Sequence, residues 1–88
     1  MTKFQLHRIS KALADPMRYR ILSRIAGEDE LACTDLRCAL PITPATLSHH
    51  IKELSQAGLI DVRKNSKFMH MKLRKKLWKD YVATLSKL

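Results

Sequence analysis

TPATLSHHIKELSQAGL, Thr43–Leu59, is the stretch whose reading decides the fold of this 88-residue chain. Thr43 is suited to cap a helix, and Pro44 fits the first helical position, where its missing N–H costs nothing. Gly58 is the expected residue just past a helix end. Between them Leu47, Ile51 and Leu54 recur at helical spacing as one apolar stripe. The opposite side carries Ala45, His49, Lys52 and Gln56, flanked by Thr46 and Glu53. A helix of about 44–57, anchored behind and short and polar in front, suits entry into a DNA major groove. Taken alone it also reads as an ordinary amphipathic surface helix.

Upstream, Pro41 ends a short helix from Asp35 to about Leu40, with Leu36 and Leu40 inward and Thr34-Asp35 as its cap. Pro41-Ile42-Thr43 is then a three-residue link, and two helices joined so tightly cross steeply, as in a helix-turn-helix. Glu28, Asp29 and Glu30 form the only acidic cluster and read as a loop turned away from a polyanion. Before it, Asp15-Pro16 starts a helix of about Pro16 to Ala26, with Ile21, Leu22 and Ile25 buried and Gly27 as its stop. A first helix from about Lys3 to Ala14 carries Leu6, Ile9 and Leu13 at helical spacing, with Phe4 and Ala12 nearby.

Downstream of Gly58 the period changes. Ile60 and Val62 alternate with Asp61 and Arg63, and Met69, Met71 and Leu73 alternate with His70 and Lys72. This is a β-hairpin over about 59–73, turning at Lys64-Asn65-Ser66-Lys67, with Asn65 suited to the turn. Arg63, Lys64 and Lys67 make its tip basic, as a wing that lays cations along a phosphate backbone or into the minor groove. Arg74 to Leu88 is again helical, with Leu77, Trp78, Tyr81, Val82 and Leu85 in a wide apolar stripe. Its start is crowded by Arg74, Lys75, Lys76 and Lys79, which opposes the helix dipole and makes phosphate contact a candidate use of the charge. The aromatic content of the stripe favours an interface with a second subunit over a purely internal core.

Seventeen Lys and Arg against eight Asp and Glu leave a formal charge of +9, an excess that points to a polyanionic partner. An apolar share of 45% suits a folded chain rather than a disordered one. With no apolar run long enough to span a bilayer and no apolar signal core at the N-terminus, the expected location is the cytoplasm. Two glycines leave no phosphate-cradling loop, and no acid–base constellation stands out, which argues against an enzyme. The basic residues are spread over several elements, which argues against a lipid surface. The hairpin carries no aromatic stacking pair for RNA. A winged-helix protein-interaction module remains the alternative class.

KALADPMRYRIL, Lys11–Leu22, resembles the second-helix signature of the ArsR/SmtB family of winged-helix repressors. TPATLSHHIKELSQAGLI, Thr43–Ile60, is similar to that family's recognition helix and its exit into the wing, and VRKNSKFMHMKL, Val62–Leu73, to the wing itself. The resemblance covers nearly the whole chain as one domain, 1–88. It implies a mainly α winged helix-turn-helix of about five helices plus a two-stranded wing, acting as a homodimeric repressor on double-stranded DNA. Its candidate DNA contacts are Thr43, Ala45, Thr46, Ser48, His49, His50, Lys52, Arg63, Lys64 and Lys67. Its candidate dimer contacts are Phe4, Leu6, Ile9, Leu13, Leu77, Trp78, Tyr81, Val82 and Leu85. The family's arsenic sensors carry thiols in a segment resembling ELCVCDLC, whereas this chain has ELACTDLRC, Glu30–Cys38. The last helix holds Asp80 but no histidine, unlike the zinc sensors. Neither metal site carries over intact, and no metal or cofactor is expected. Cys33, near a helix start, is a candidate redox-reactive thiol together with Cys38, which would make the repressor thiol-responsive. The plainer expectation is Cys38 as a small core residue and Cys33 as an incidental loop thiol.

Overall fold

The computed structural model describes residues 1–88 and follows the order α1 (Lys3–Leu13), α2 (Pro16–Ala26), β1 (Leu31–Ala32), α3 (Cys33–Ala39), α4 (Pro44–Gln56), β2 (Ile60–Asn65), β3 (Phe68–Leu73) and α5 (Lys75–Ser86). Local chemistry sets most of these boundaries. Thr2 and Gln5 form a reciprocal capping box at α1. The Asp15 carboxylate accepts the Met17 and Arg18 N–H groups at 2.9 Å each, with Pro16 next in line. Thr43 Oγ1 accepts the Thr46 N–H at 3.2 Å, again just before a proline.

The end of α4 is equally specific. Gly58 takes φ +82°, its N–H reaches the Ser55 carbonyl at 3.0 Å, and the Leu59 N–H reaches the Leu54 carbonyl at 3.1 Å. This Schellman arrangement needs a residue free of a Cβ. A Cβ added there would meet Leu77 Cδ1 at 3.1 Å. Leu59 is then fully buried and Ile60 enters the sheet, so the close of the helix aims the hairpin.

The sheet has three strands rather than the expected two, in the order β1-β3-β2 and antiparallel throughout. Leu31 pairs with Met71 and Ala32 with His70. A two-residue strand has no period to read in sequence. Because β1 runs straight into α3, that helix starts at Cys33. Ala32 is its N-cap and makes no side-chain hydrogen bond, so Thr34-Asp35 is not the cap. The hairpin turns at Ser66-Lys67 and not at Asn65, which still pairs with Phe68; Ser66 carries the positive φ of 59°.

One cluster of fifteen buried apolar residues draws on all five helices and on the hairpin, with Ile9, Ile21, Ile25, Leu36, Leu47, Leu54, Leu59, Ile60 and Met71 sealed from solvent. Ile9 and Tyr81, expected at a subunit interface, belong to this core. The Tyr81 hydroxyl lies 2.8 Å from Ser10 Oγ, tying α5 to α1. Both sit at the centre of their helices' inner faces, where a single subunit already covers them.

Two stability changes follow. Gly58→Ala is expected to cost about 1–2 kcal/mol, from forcing a Cβ into left-handed geometry, read as a lowered denaturant midpoint. The Arg18 N–H chiefly holds the Asp15 carboxyl below its ordinary 3.8, helped by His50 and the Met17 N–H against some desolvation. Its contribution to stability is therefore present above that value and lost as pH falls through the depressed folded pKa. Asp15→Asn should shallow the fall of stability on acidification, measured by denaturant titrations across acid pH.

Candidate nucleic-acid interface

The 3.6-residue repeat of α4 divides its side chains into two sets. Leu47, His50, Ile51 and Leu54 are buried. Ala45, Thr46, Ser48, His49, Lys52, Ser55 and Gln56 are exposed. The outward row thus contains five of the expected DNA contacts, Ala45, Thr46, Ser48, His49 and Lys52, within the first two and a half turns of the helix. Thr43 is also exposed, but its hydroxyl is engaged twice at the cap: it accepts the Thr46 N–H and donates to Thr46 Oγ1 at 2.9 Å. The Thr46 hydroxyl keeps its own proton for an external acceptor. Gln56 accepts weakly from Arg8 at 3.5 Å, linking α4 to α1.

His50 is corrected by the structure. It stands three residues after Leu47 and four before Leu54, so the helical repeat turns it inward, where it is 8% exposed. There its imidazole bears on Asp15 at the α1–α2 corner, and its Nδ1 has no hydrogen-bond partner.

The wing tip is open. Lys64, Asn65, Ser66, Lys67 and Phe68 are all exposed, and neither Lys64 nor Lys67 is in an ion pair. Arg63 differs, because its guanidinium hydrogen-bonds to Glu30 Oε1. The same carboxylate oxygen lies 3.7 Å from His70 Nδ1. The Arg63 hydrogen bond is the main reason the Glu30 carboxyl is held below its ordinary value, with His70 and Lys72 adding to it. Glu30 therefore folds onto the wing instead of lying in a loop turned away. Sequence reasoning missed this because β1, the strand that carries Glu30 to the sheet, is too short to announce itself.

Arg37 of α3 was also missed. It lines a groove between α3 and the wing tip with Lys64, Lys67, Phe68 and Cys33, and a second groove with Thr34, Cys38, Ile42 and Pro44 at the start of α4. A lone arginine in a seven-residue helix reads as solvated charge, and only the turn of the chain after α3 brings it between the start of α4 and the wing tip.

The thiols reverse their expected roles. Cys33 is the half-buried one, packed on the core, and Cys38 is exposed; both are free. Burial pushes the Cys33 thiol up, with Arg37 only partly offsetting it. That opposes activation of Cys33 by the helix start.

On α1 and α5, Leu6, Leu13, Leu77 and Trp78 are partly buried against the core. Phe4, Val82 and Leu85 remain exposed, joined by Met1 and Leu88. Phe4 is the most exposed of the expected dimer contacts, at 69%.

A three-stranded winged sheet set against a helix-turn-helix, with the second helix of that pair offering a polar row outward, defines a winged helix-turn-helix protein. The helix-turn-helix domain family matches residues 13–63. The cadmium resistance transcriptional regulatory protein CadC of Listeria innocua is 33% identical over 68% of this chain and 50% of its own length. The uncharacterized HTH-type transcriptional regulator YceK of Bacillus subtilis is 33% identical over 84% of this chain and 75% of its own. The chain belongs to the ArsR family of helix-turn-helix transcriptional regulators. It spans about half the length of the CadC proteins it matches. Among solved structures, the ArsR family transcriptional regulator RHA00566 superposes with a TM-score of 0.87 at 24% identity, covering 99% of this chain and 89% of that one. The homodimeric winged helix-turn-helix DNA-binding domain Mb0332 of Mycobacterium bovis superposes with a TM-score of 0.77 at 23% identity, covering 93% and 76%. No helix of the chain is long and apolar enough to cross a membrane.

Alkylation by a small thiol reagent near neutral pH should modify Cys38 well before Cys33, followed by mass spectrometry of quenched samples. Faster modification of Cys33 would contradict the raised thiol.

Proposed function

We propose that the chain is a cytoplasmic, sequence-specific DNA-binding repressor, acting as one domain over residues 1–88 and as a homodimer rather than as an enzyme. The observation that carries the reading is the split of α4: an inner face locked into the core and an outer row of Ala45, Thr46, Ser48, His49 and Lys52 open to solvent. Such a row of short side chains near a helix N-terminus lets the backbone approach base edges. Ala45 is matched to a thymine methyl; Thr46, Ser48 and His49 are matched to base edges or phosphate oxygens. Lys64 and Lys67 at the wing hold the duplex without reading it.

A second copy of this chain fits the exposed apolar set Phe4, Val82 and Leu85, since aromatic and aliphatic side chains left open on two adjoining helices suit an interface. The homodimeric state of the M. bovis domain of the same fold supports that arrangement. A dimer of this kind calls for an operator with two-fold symmetry.

Selection of binding sites from genomic fragments by the purified protein, followed by anisotropy titrations on the selected duplex, tests the reading. Lys64→Ala should weaken binding to all sequences similarly and reduce the salt slope by about 0.9. His49→Ala should instead change the ranking of sequences. A uniform loss from both substitutions would refute the division between reading helix and holding wing.

A further inference from the structure

We propose that Glu30 is a positioning residue that occupies Arg63 in place of a DNA phosphate, lowering the wing's affinity for DNA of any sequence. The inference rests on the DNA-binding reading above. Ala32 of β1, His70 of β3 and Arg63 of β2 stand in one row across the sheet, from the pairings Ala32 with His70 and Arg63 with His70. Glu30 lies two residues before Ala32, so the short strand delivers its carboxylate to that row. There it meets Arg63 directly and has His70 and Lys72 close by, in a groove that also holds Asp61.

A guanidinium bound by a carboxylate is already neutralised. To reach a phosphate, Arg63 must give up one oxyanion for another, and the exchange gains little. Lys64 and Lys67, one and four residues further along, have no such partner and make the backbone contact. Phosphate contacts carry no sequence information, whereas α4 reads bases through residues that Glu30 does not touch. Withholding one cation therefore lowers affinity for every sequence by a similar factor and leaves the discrimination between sites to α4.

The test uses Glu30→Gln, Arg63→Ala and the double variant of the full chain, each checked by circular dichroism and thermal melting, with Glu30→Ala as a second charge-removing variant should Glu30→Gln fold poorly. Without DNA, an NMR titration should show the Glu30 carboxyl rising toward its ordinary 4.5 in Arg63→Ala. With a mixed-sequence duplex at low salt, Glu30→Gln should tighten binding about three- to tenfold and steepen the salt slope by about 0.9, the increment for one freed cation. Arg63→Ala should change affinity less than about twofold in the native background yet return Glu30→Gln to the native affinity, the coupling a double-mutant cycle reads. A loss in Arg63→Ala as large as in Lys64→Ala, or weaker binding in folded Glu30→Gln, overturns the proposal. An unchanged Glu30 titration in Arg63→Ala removes the pairing and overturns the proposal, leaving the DNA-binding reading intact. Absence of salt-dependent DNA binding in the native protein overturns the DNA-binding reading, and the role given to Glu30 with it.

Discussion

Burial of Leu47, Ile51 and Leu54 beneath α4 is the constraint on which the rest of the molecule depends. These side chains enter the same cluster as Ile21, Leu22 and Ile25 of α2, with Leu54, Ile21 and Ile25 sealed from solvent. Each such aliphatic group contributes about 1.5–3 kcal/mol when fully buried. Three on one helix fix its rotation about its own axis, because turning it would expose all of them together. Once that rotation is fixed, Ala45, Ser48, His49 and Lys52 point outward whatever their identity. They add little to the fold and so are free to be chosen for recognition. The two ends complete the placement: the Thr43 cap fixes where the helix begins, and the Gly58 turn fixes how the chain leaves it.

The wing is built onto the same core. Leu59, Ile60 and Met71 are buried at its base, and the Arg74 N–H reaches back to the Leu59 carbonyl at 2.9 Å, closing the hairpin where it joins α4. Burial then fades along β2 until its last three residues are exposed. Base and tip thus have different physics. The base is held by apolar packing and, up to the row of Ala32, His70 and Arg63, by the third strand and one ion pair between exposed groups; the tip beyond is held by ladder hydrogen bonds. Exposed ion pairs contribute little to stability, so the Glu30–Arg63 pair leaves the fold nearly indifferent to it while deciding where one positive charge resides.

All five helices and the hairpin were legible in the sequence, through local signals such as Asp15-Pro16 and Thr43-Pro44 at helix starts, Gly58 at a helix end and period-2 alternation from Ile60 to Leu73; only the start of α3 lay two residues earlier than expected. What stayed hidden is non-local or too short to show a period. β1 has two residues and exists only because β3 offers an edge to pair with. His50 reads as flanking the core with a phosphate as a possible partner, and its offset of three from Leu47 and four from Leu54 carries it fully to the buried side. Ile9 and Tyr81 show the converse limit. An apolar stripe says that a face is covered, but whether α5 covers α1 or a second subunit covers both is settled by tertiary packing. The same stripes therefore contained core residues, such as Tyr81, beside exposed ones, such as Val82.

Net charge is the property most easily over-read from such a chain. The excess of nine positive charges suggests a uniformly cationic body, but acids and bases are not mixed evenly over it. Arg74, Lys75 and Lys76, expected to be candidates for phosphate contact, border a groove shared with Glu28, Asp29, Asp61 and Asp80, and Arg74 Nε comes within 3.8 Å of Asp61. Those acids lie beside the positive charge that α5 places, unfavourably, at its own N-terminus, and Arg74 is paired within the subunit. Arg63 is occupied in the same way by Glu30. Setting aside Arg63 and Arg74 leaves Lys52 on α4, Arg37 on α3, and Lys64, Lys67 and Lys72 on the wing without an ion-pair partner. Since screening confines exposed charges to about 10 Å of influence, those five, rather than the total, set the local potential around α4 and the wing.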